Sequence, residues 1–294
     1  LGLDEALAMV PGLQADDRHN LALGTRIAAR GLGARAAFGV RGVRILVDGI
    51  PLTLPDGQTA LTNLDLAAAG RIQVIRGPAS VLYGNAAGGV ISVDTREPPR
   101  AGIAEGRVLA GDYGTDELGA LARFEATVGK GGETSYLVTA SHLDLDGYRR
   151  HSAARRTGLN ARLRHAPDED SYVTVVVNAA AVPQAQSPGS VPADTLLVAP
   201  TRAWPTNVET KSGEQVEQLQ AGISYVRRLG VHRLDLTAYG AGRALDNALP
   251  FAFIELGRWA GGLRAAVRSH LEPLGRPLHL TAGLDLEHQR DDRR

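Results

Sequence analysis

The sequence RIQVIRGPASVLYGNAAGGVISVDT occupies residues 71–95. Residue types alternate over Arg71–Arg76, with Ile72 and Val74 on one face and Gln73 and Ile75 on the other, as in a strand. Gly77-Pro78 ends that strand, because proline donates no backbone hydrogen bond and has a fixed φ. Ala79–Tyr83 has room for one helical turn. Gly84, Gly88 and Gly89 permit positive φ and close backbone approach. Val90–Thr95 alternates again, and Glu97-Pro98-Pro99 stops it. The stretch is a strand, a helical turn, a glycine loop and a second strand, a corner that an α/β domain of any function could carry.

Working outward toward the N-terminus, Val43–Val47 reads as a buried strand and Asp48-Gly49 as its turn. Asp48 is expected to hydrogen-bond the backbone of that turn. Asp4–Val10 reads as a short helix ended by Pro11-Gly12, and Arg26–Arg30 as a short strand. Residues 31–42 form a glycine-rich loop, and 51–62 a loop carrying Pro55, Asp56, Gly57 and Gln58. Leu64–Ala69 makes one helical turn ending at Gly70. Together these give a compact α+β unit of about 100 residues, within the usual domain size. RGLGAR at residues 30–35 lacks the lysine and the spacing of a phosphate loop, which argues against a nucleotide site.

Composition narrows the function. The 294 residues carry 32 basic and 32 acidic side chains, so nothing favours a nucleic-acid partner. There are no cysteines, hence no disulfide frame, no thiolate chemistry and no cysteine-bound metal. No apolar run is long enough for a membrane-spanning helix. The mean hydropathy of −0.11 is still compatible with a membrane barrel, in which only alternate residues face lipid.

Beyond Ile103 the text alternates in segments of about ten residues separated by turn signals. Ala122, Phe124 and Ala126 alternate with Arg123, Glu125 and Thr127; Leu118 extends the apolar row. Leu159, Ala161 and Leu163 alternate with Asn160, Arg162 and Arg164. Leu263, Ala265 and Val267 alternate with Arg264 and Arg268, and Leu280, Ala282 and Leu284 with Thr281 and Asp285. Strands are expected near 103–112, 117–128, 133–145, 154–166, 171–181, 214–228, 232–243, 258–271 and 277–290. Short turns alternate with mostly longer connections. The longest, 182–213, carries five prolines with Arg202 and Trp204, and is expected to be an irregular binding or gating loop. The arginine-bearing faces are too charged for a dry core and need an internal partner or water. Tyr136, Tyr172 and Tyr225 fall at one end of the strands, as a partial aromatic girdle.

Three motifs resemble one family in its order and spacing: VPGL at 10–13, VRILVDGIPLT at 43–53 and RGPASVLYGNAAGGVISVDT at 76–95. They resemble the plug domain of the TonB-dependent outer-membrane receptors. The resemblance implies a plug over 1–100, followed over 101–294 by the first part of an antiparallel transmembrane β-barrel of about 22 strands in the whole. The chain is then a fragment. It implies a transporter in the Gram-negative outer membrane that imports a ferric siderophore, another metal chelate or a comparable small molecule, driven by the TonB complex. No enzyme activity, cofactor or resident metal is expected, and outer-membrane lipid is a partner. Three plug loops face the external vestibule, offering Arg35 and Phe38, then Asp56, Gln58 and Thr59, then Tyr83 and Asn85 as ligand contacts. Arg30 and Arg76 match the family's plug arginines that pair with barrel-wall glutamates. A β-rich secreted hydrolase, built on His142, Asp144 and Asp146 of SHLDLDG, stands as the alternative, as does a receptor truncated beyond function.

Overall fold

The computed structural model describes residues 2–17, 20–36, 39–77, 80–112 and 119–294. The N-terminal unit runs α1 (Leu3–Leu7), β1 (Leu13–Asp16), β2 (Arg26–Ala29), β3 (Val40–Arg41), β4 (Val43–Val47), β5 (Ile50–Pro51), β6 (Gln58–Thr59), β7 (Ala69–Arg76), α2 (Ser80–Tyr83) and β8 (Gly89–Thr95). Its main sheet has the order β5-β4-β8-β7. β4 is buried along its whole length and pairs parallel to β8, while β7 returns antiparallel to β8. Gly89 makes this packing possible. Its φ is +127°, and a Cβ there would stand 2.3 Å from the Ile75 carbonyl oxygen. Ile27, Val40, Val43, Ile45, Ile91 and Val93 form the core with Leu3 and Leu7 of α1. Each such side chain contributes about 1.5–3 kcal/mol when fully buried, which holds a unit with so little helix.

The rest of the chain is one sheet of nine antiparallel strands in simple up-and-down order. They are β9 (Ile103–Gly111), β10 (Leu121–Lys130), β11 (Thr134–Leu145), β12 (Ala154–His165), β13 (Ser171–Gln186), β14 (Gly213–Leu229), β15 (His232–Leu249), β16 (Ala252–Leu271) and β17 (Leu278–Arg293). β9 and β17 are the edges, and the sheet is unclosed. The alternation predicts the two faces. Phe124, Leu159, Leu163, Leu219, Leu263 and Leu284 are exposed on the outer face. Arg123, Asn160, Arg162, Gln220 and Arg258 lie on the inner face, against or beside the N-terminal unit. The leucine faces do not pack against one another as in a sandwich.

Several expected boundaries move. β13 continues past 181 to Gln186, through a register shift between Val182 and Ala185 that absorbs Pro183. The long connection therefore shrinks to 187–212 and is not wholly irregular, because it carries α3 (Ala193–Val198) and α4 (Pro205–Glu209). β15 and β16 extend to a tight hairpin at Pro250-Phe251, where a longer loop was expected. Tyr172 does not join an outer girdle. It faces inward, with the Arg164 guanidinium 4.1 Å over its ring and Arg233 donating to its hydroxyl. Leu118 and Phe38 lie outside the described residues.

Candidate functional site

The site is the seam between the N-terminal unit and the inner face of the sheet. It has three levels, counted from the short-turn end of the strands toward the long-loop end. At the lowest, Arg162 of β12 reaches Glu97 at 2.7 Å and Asp48 at 3.7 Å. The Asp48 carboxylate does not bond its own turn. It accepts from the amide and the hydroxyl of Thr95, tying the β4 turn to the end of β8. Burial raises its pKa, and the Thr95 hydrogen bonds and the Arg162 charge only partly offset that rise.

At the middle level Arg44, 2 % exposed, leaves β4 and meets Glu287 of β17 at 2.5 Å. The Tyr239 hydroxyl donates to the same carboxylate at 2.8 Å. Alongside, the Gln220 amide donates to the Pro51 carbonyl, and Ile50 seats on Gly222 so closely that a Cβ there would meet Ile50 Cδ1 at 2.6 Å.

At the upper level the segment 56–65 is fastened to eight strands, with β13 reached by Asn63 donating to the Asn178 carbonyl and β17 by the Asp56 amide donating to Gln289. Asp65 is held by Arg123 of β10 at 3.0 Å, by the Ser141 hydroxyl of β11 and by Arg156 of β12 at 3.7 Å. Arg156 also donates to the carbonyls of Thr62 and Leu64. Burial works against ionisation of Asp65. The bonds from Ser141 and the Ala67 amide, with the charges of Arg156 and Arg123, outweigh it and hold the carboxyl below its ordinary value. Gln218 of β14 donates to Asn63, Arg243 of β15 donates to Thr62 and Gln218, and Arg258 of β16 pairs with Asp56 at 3.2 Å and Asp291 at 2.6 Å.

Above this level lies a cavity of about 770 Å³, between the loops of the N-terminal unit and the inner face. Arg35, exposed on loop 31–39, lines it, as does Gln58. Asp56 is exposed but engaged with Arg258, and its carboxylate accepts from the Gln58 amide. Thr59 is a correction: fully buried, its hydroxyl bonds Thr53 at 2.6 Å, and it is packing rather than surface. Asn85 donates to the Pro55 carbonyl at 2.9 Å and so splints loop 83–88 to loop 50–62. Tyr83 packs on Leu46, Ala86 and Val90.

Arg202 and Trp204 are exposed on the connection 187–212. What fastens that connection is the Arg149 guanidinium, which donates to the carbonyls of Arg202 and Gly189, with His151 bonded to the Ser212 carbonyl. Arg30 and Arg76 reach no wall carboxylate among the described residues; Arg76 donates to the Pro11 carbonyl. The arginines of the N-terminal unit that do so are Arg44 and, at 2.7 Å from Glu105 of β9, Arg96. At Asp48, Asp56, Asp65 and Glu97 the polarity is reversed, with the arginine on the wall. No signal in a single sequence marks such partners, which stand as far apart as Arg44 and Glu287.

The residues of SHLDLDG are not gathered into a site. His142 bonds Thr157 at 2.9 Å and Asp144 faces Arg155 at 3.3 Å, both on the outer face, while the Asp146 amide is tied to the Ala120 carbonyl. The hydrolase alternative loses both its catalytic group and its sandwich.

Comparison with known proteins agrees with this architecture. Residues 2–90 match the family described as TonB-dependent Receptor Plug Domain. The pesticin receptor of Yersinia enterocolitica is 33% identical over 113 residues, 37% of this chain and 16% of that protein. The hemin receptor of Yersinia pestis is 39% identical over 94 residues, 31% of this chain and 13% of that protein. Among solved structures, the unliganded ferric citrate transporter FecA superposes with a TM-score of 0.83 at 20% identity, over 99% of this chain and 45% of that one. The ferric yersiniabactin uptake receptor FyuA of Yersinia pestis gives 0.70 at 18% identity, over 99% and 46%. The chain thus spans less than half the length of these solved structures, and the matched stretches cover a smaller share of the curated relatives.

Proposed function

Residues 2–90 belong to the TonB-dependent receptor plug family and the strands after them have the fold of that receptor's wall; from this we propose that the protein serves in the outer membrane as a receptor and importer of an iron chelate. The observation that carries the proposal is the two-faced sheet. Its outer face presents exposed leucine, valine and aromatic rows, as lipid-facing strands do. Its inner face holds arginines, glutamines and threonines, bonded to one another and to the plug. A plug so held blocks the lumen until something moves it. The relatives named above receive haemin or pesticin, and the solved structures ferric citrate or ferric yersiniabactin, so the ligand class proposed is an anionic or polar iron chelate.

In this reading Arg35, Gln58 and Asn85 present polar groups from the plug loops, and Arg202 and Trp204 close over them from the 187–212 connection. Phe38 and Tyr83 supply apolar contact. Asp56, paired with Arg258, stands beside Gln58 on the same loop. No covalent chemistry is involved; the work is binding, a conformational switch powered by the TonB complex, and release.

The test is uptake of a radioactive ferric chelate by cells carrying the full reading frame that contains this chain, with and without a working TonB. Uptake that needs both the receptor and TonB is the expected result. Binding at the cell surface without any TonB-dependent uptake would leave a receptor but not an importer. No binding of any ferric chelate or haemin would overturn the proposal.

A further inference from the structure

The inner face of a barrel around a wet lumen is ordinarily polar. Here it is not polar throughout. Directly above the upper level, one inward step along each strand, Leu121 stands opposite Leu145 and Leu245 opposite Leu256, with Arg243 opposite Arg258 just beneath the second pair. Leucines in this position leave apolar surface facing water unless something apolar covers them. The plug covers only the middle of the row: Leu21 and Ala22 pack on the cluster of Ala154, Val182, Ala185 and Val216, which Leu245 also joins. On either flank Leu121, Leu145, Leu256 and Ile254 stay half-buried and line the cavity.

The charge in the same cavity has one sign to spare. Arg243 bonds only neutral acceptors, Thr62 at 3.1 Å and Gln218 at 2.6 Å. Among the described residues Glu214 lines the cavity near Arg243 without an ion pair inside 4.0 Å, Arg35 faces the cavity from the plug, and the lining carries seven arginines against the carboxylates of Asp17, Asp65 and Glu214. No aromatic side chain, histidine or methionine is among the described residues of the lining. The apolar part of that lining is aliphatic, and it suits an aliphatic chain by area burial alone.

We infer that the ligand of this vestibule is an iron chelate with an anionic head and a long aliphatic tail. Arg35 and Arg243 meet the head through charge-assisted hydrogen bonds, and the flanking leucines of the collar take the tail. This inference rests on the iron-chelate reading above and specifies its substrate class.

The experiment uses the full-length receptor in lipid nanodiscs, with empty nanodiscs as the partition control. The probes are a ferric citrate–dihydroxamate chelate and the same chelate carrying a dodecanoyl chain. The acylated probe should bind at least about tenfold more tightly, since each methylene removed from water adds to affinity. The double variant Leu145→Asn/Leu256→Asn should erase that advantage and leave the unacylated probe unchanged. If that variant does not fold, the wild-type comparison decides alone. Equal affinity of the two probes for the wild type would overturn the aliphatic-tail inference and leave the chelate receptor standing. Failure of both probes to bind a folded receptor would overturn the chelate reading, and the inference with it.

Discussion

Asp65 shows how much one side chain does here. Its carboxylate is buried among two arginines and a serine from three strands. Replacing it leaves Arg123 and Arg156 without their common counter-charge, and breaking a buried pair from one side costs about 3–5 kcal/mol. Asp65→Ala should therefore lower the unfolding free energy by that amount, read by denaturant titration in detergent. Asp48 is different, because burial already disfavours its charge. Asp48→Asn keeps an acceptor for Thr95 and should cost no more than about 1 kcal/mol. The two also differ in pH dependence. Asp65, with its pKa lowered on folding, contributes stability that is complete above the unfolded value and is lost as pH falls through the folded one. Asp48, with its pKa raised, contributes at acid pH and loses that contribution as pH rises through its folded value. Acidification below about pH 4 should loosen the 62–68 segment in the wild type, measured by protease access. In Asp65→Asn that acid-dependent step should be missing. Neither role was legible in the sequence. Asp48 reads as a turn aspartate and Asp65 as an ordinary polar residue, since their partners come from strands remote in the chain.

At the scale of elements, the sequence was most informative where period two is clean. β4, β8 and six of the nine wall strands stand within four residues of where alternation puts them, the exceptions being β13 and β15 at their ends and β16 at its start. It was least informative where a strand leaves the apolar zone. The tips of β15 and β16 carry Asp246, Asn247 and Glu255, residues that read as loop, yet they pair up to the Pro250-Phe251 turn. β13 hides behind Pro183, which a register shift accommodates. The short strands β1, β3, β5 and β6 have no periodicity to detect at two to four residues each. Gly222 makes a prediction at this scale. It sits mid-strand in β14, where glycine weakens a sheet, because β5 of the plug presses on it. Gly222→Val should strengthen β14 locally but push Ile50 away, so that the plug becomes more accessible to protease while the wall keeps its strand content by circular dichroism.

For the molecule as a whole, the plug motifs of residues 10–95 and the alternation after Ile103 gave the architecture, and the charged inner faces pointed to an internal partner. The levels of the seam, the leucine collar and the Arg149 fastening of the 187–212 connection follow only from three-dimensional register. The central claim is that the polar face of the sheet wraps the plug and the apolar face turns outward. These 294 residues contain no cysteine, so introduced thiols are the only ones among them. Asn63 and Gln218 bond at 2.8 Å across the seam, while Leu219 is next in sequence on the opposite face. The measurement is cross-linking by a short bis-methanethiosulfonate in the full-length protein in its membrane, comparing Asn63→Cys/Gln218→Cys with Asn63→Cys/Leu219→Cys. The first pair should be bridged and shift on a non-reducing gel, and the second should stay unbridged. Bridging of the second pair in preference to the first would place the plug on the other face of the sheet and contradict the account.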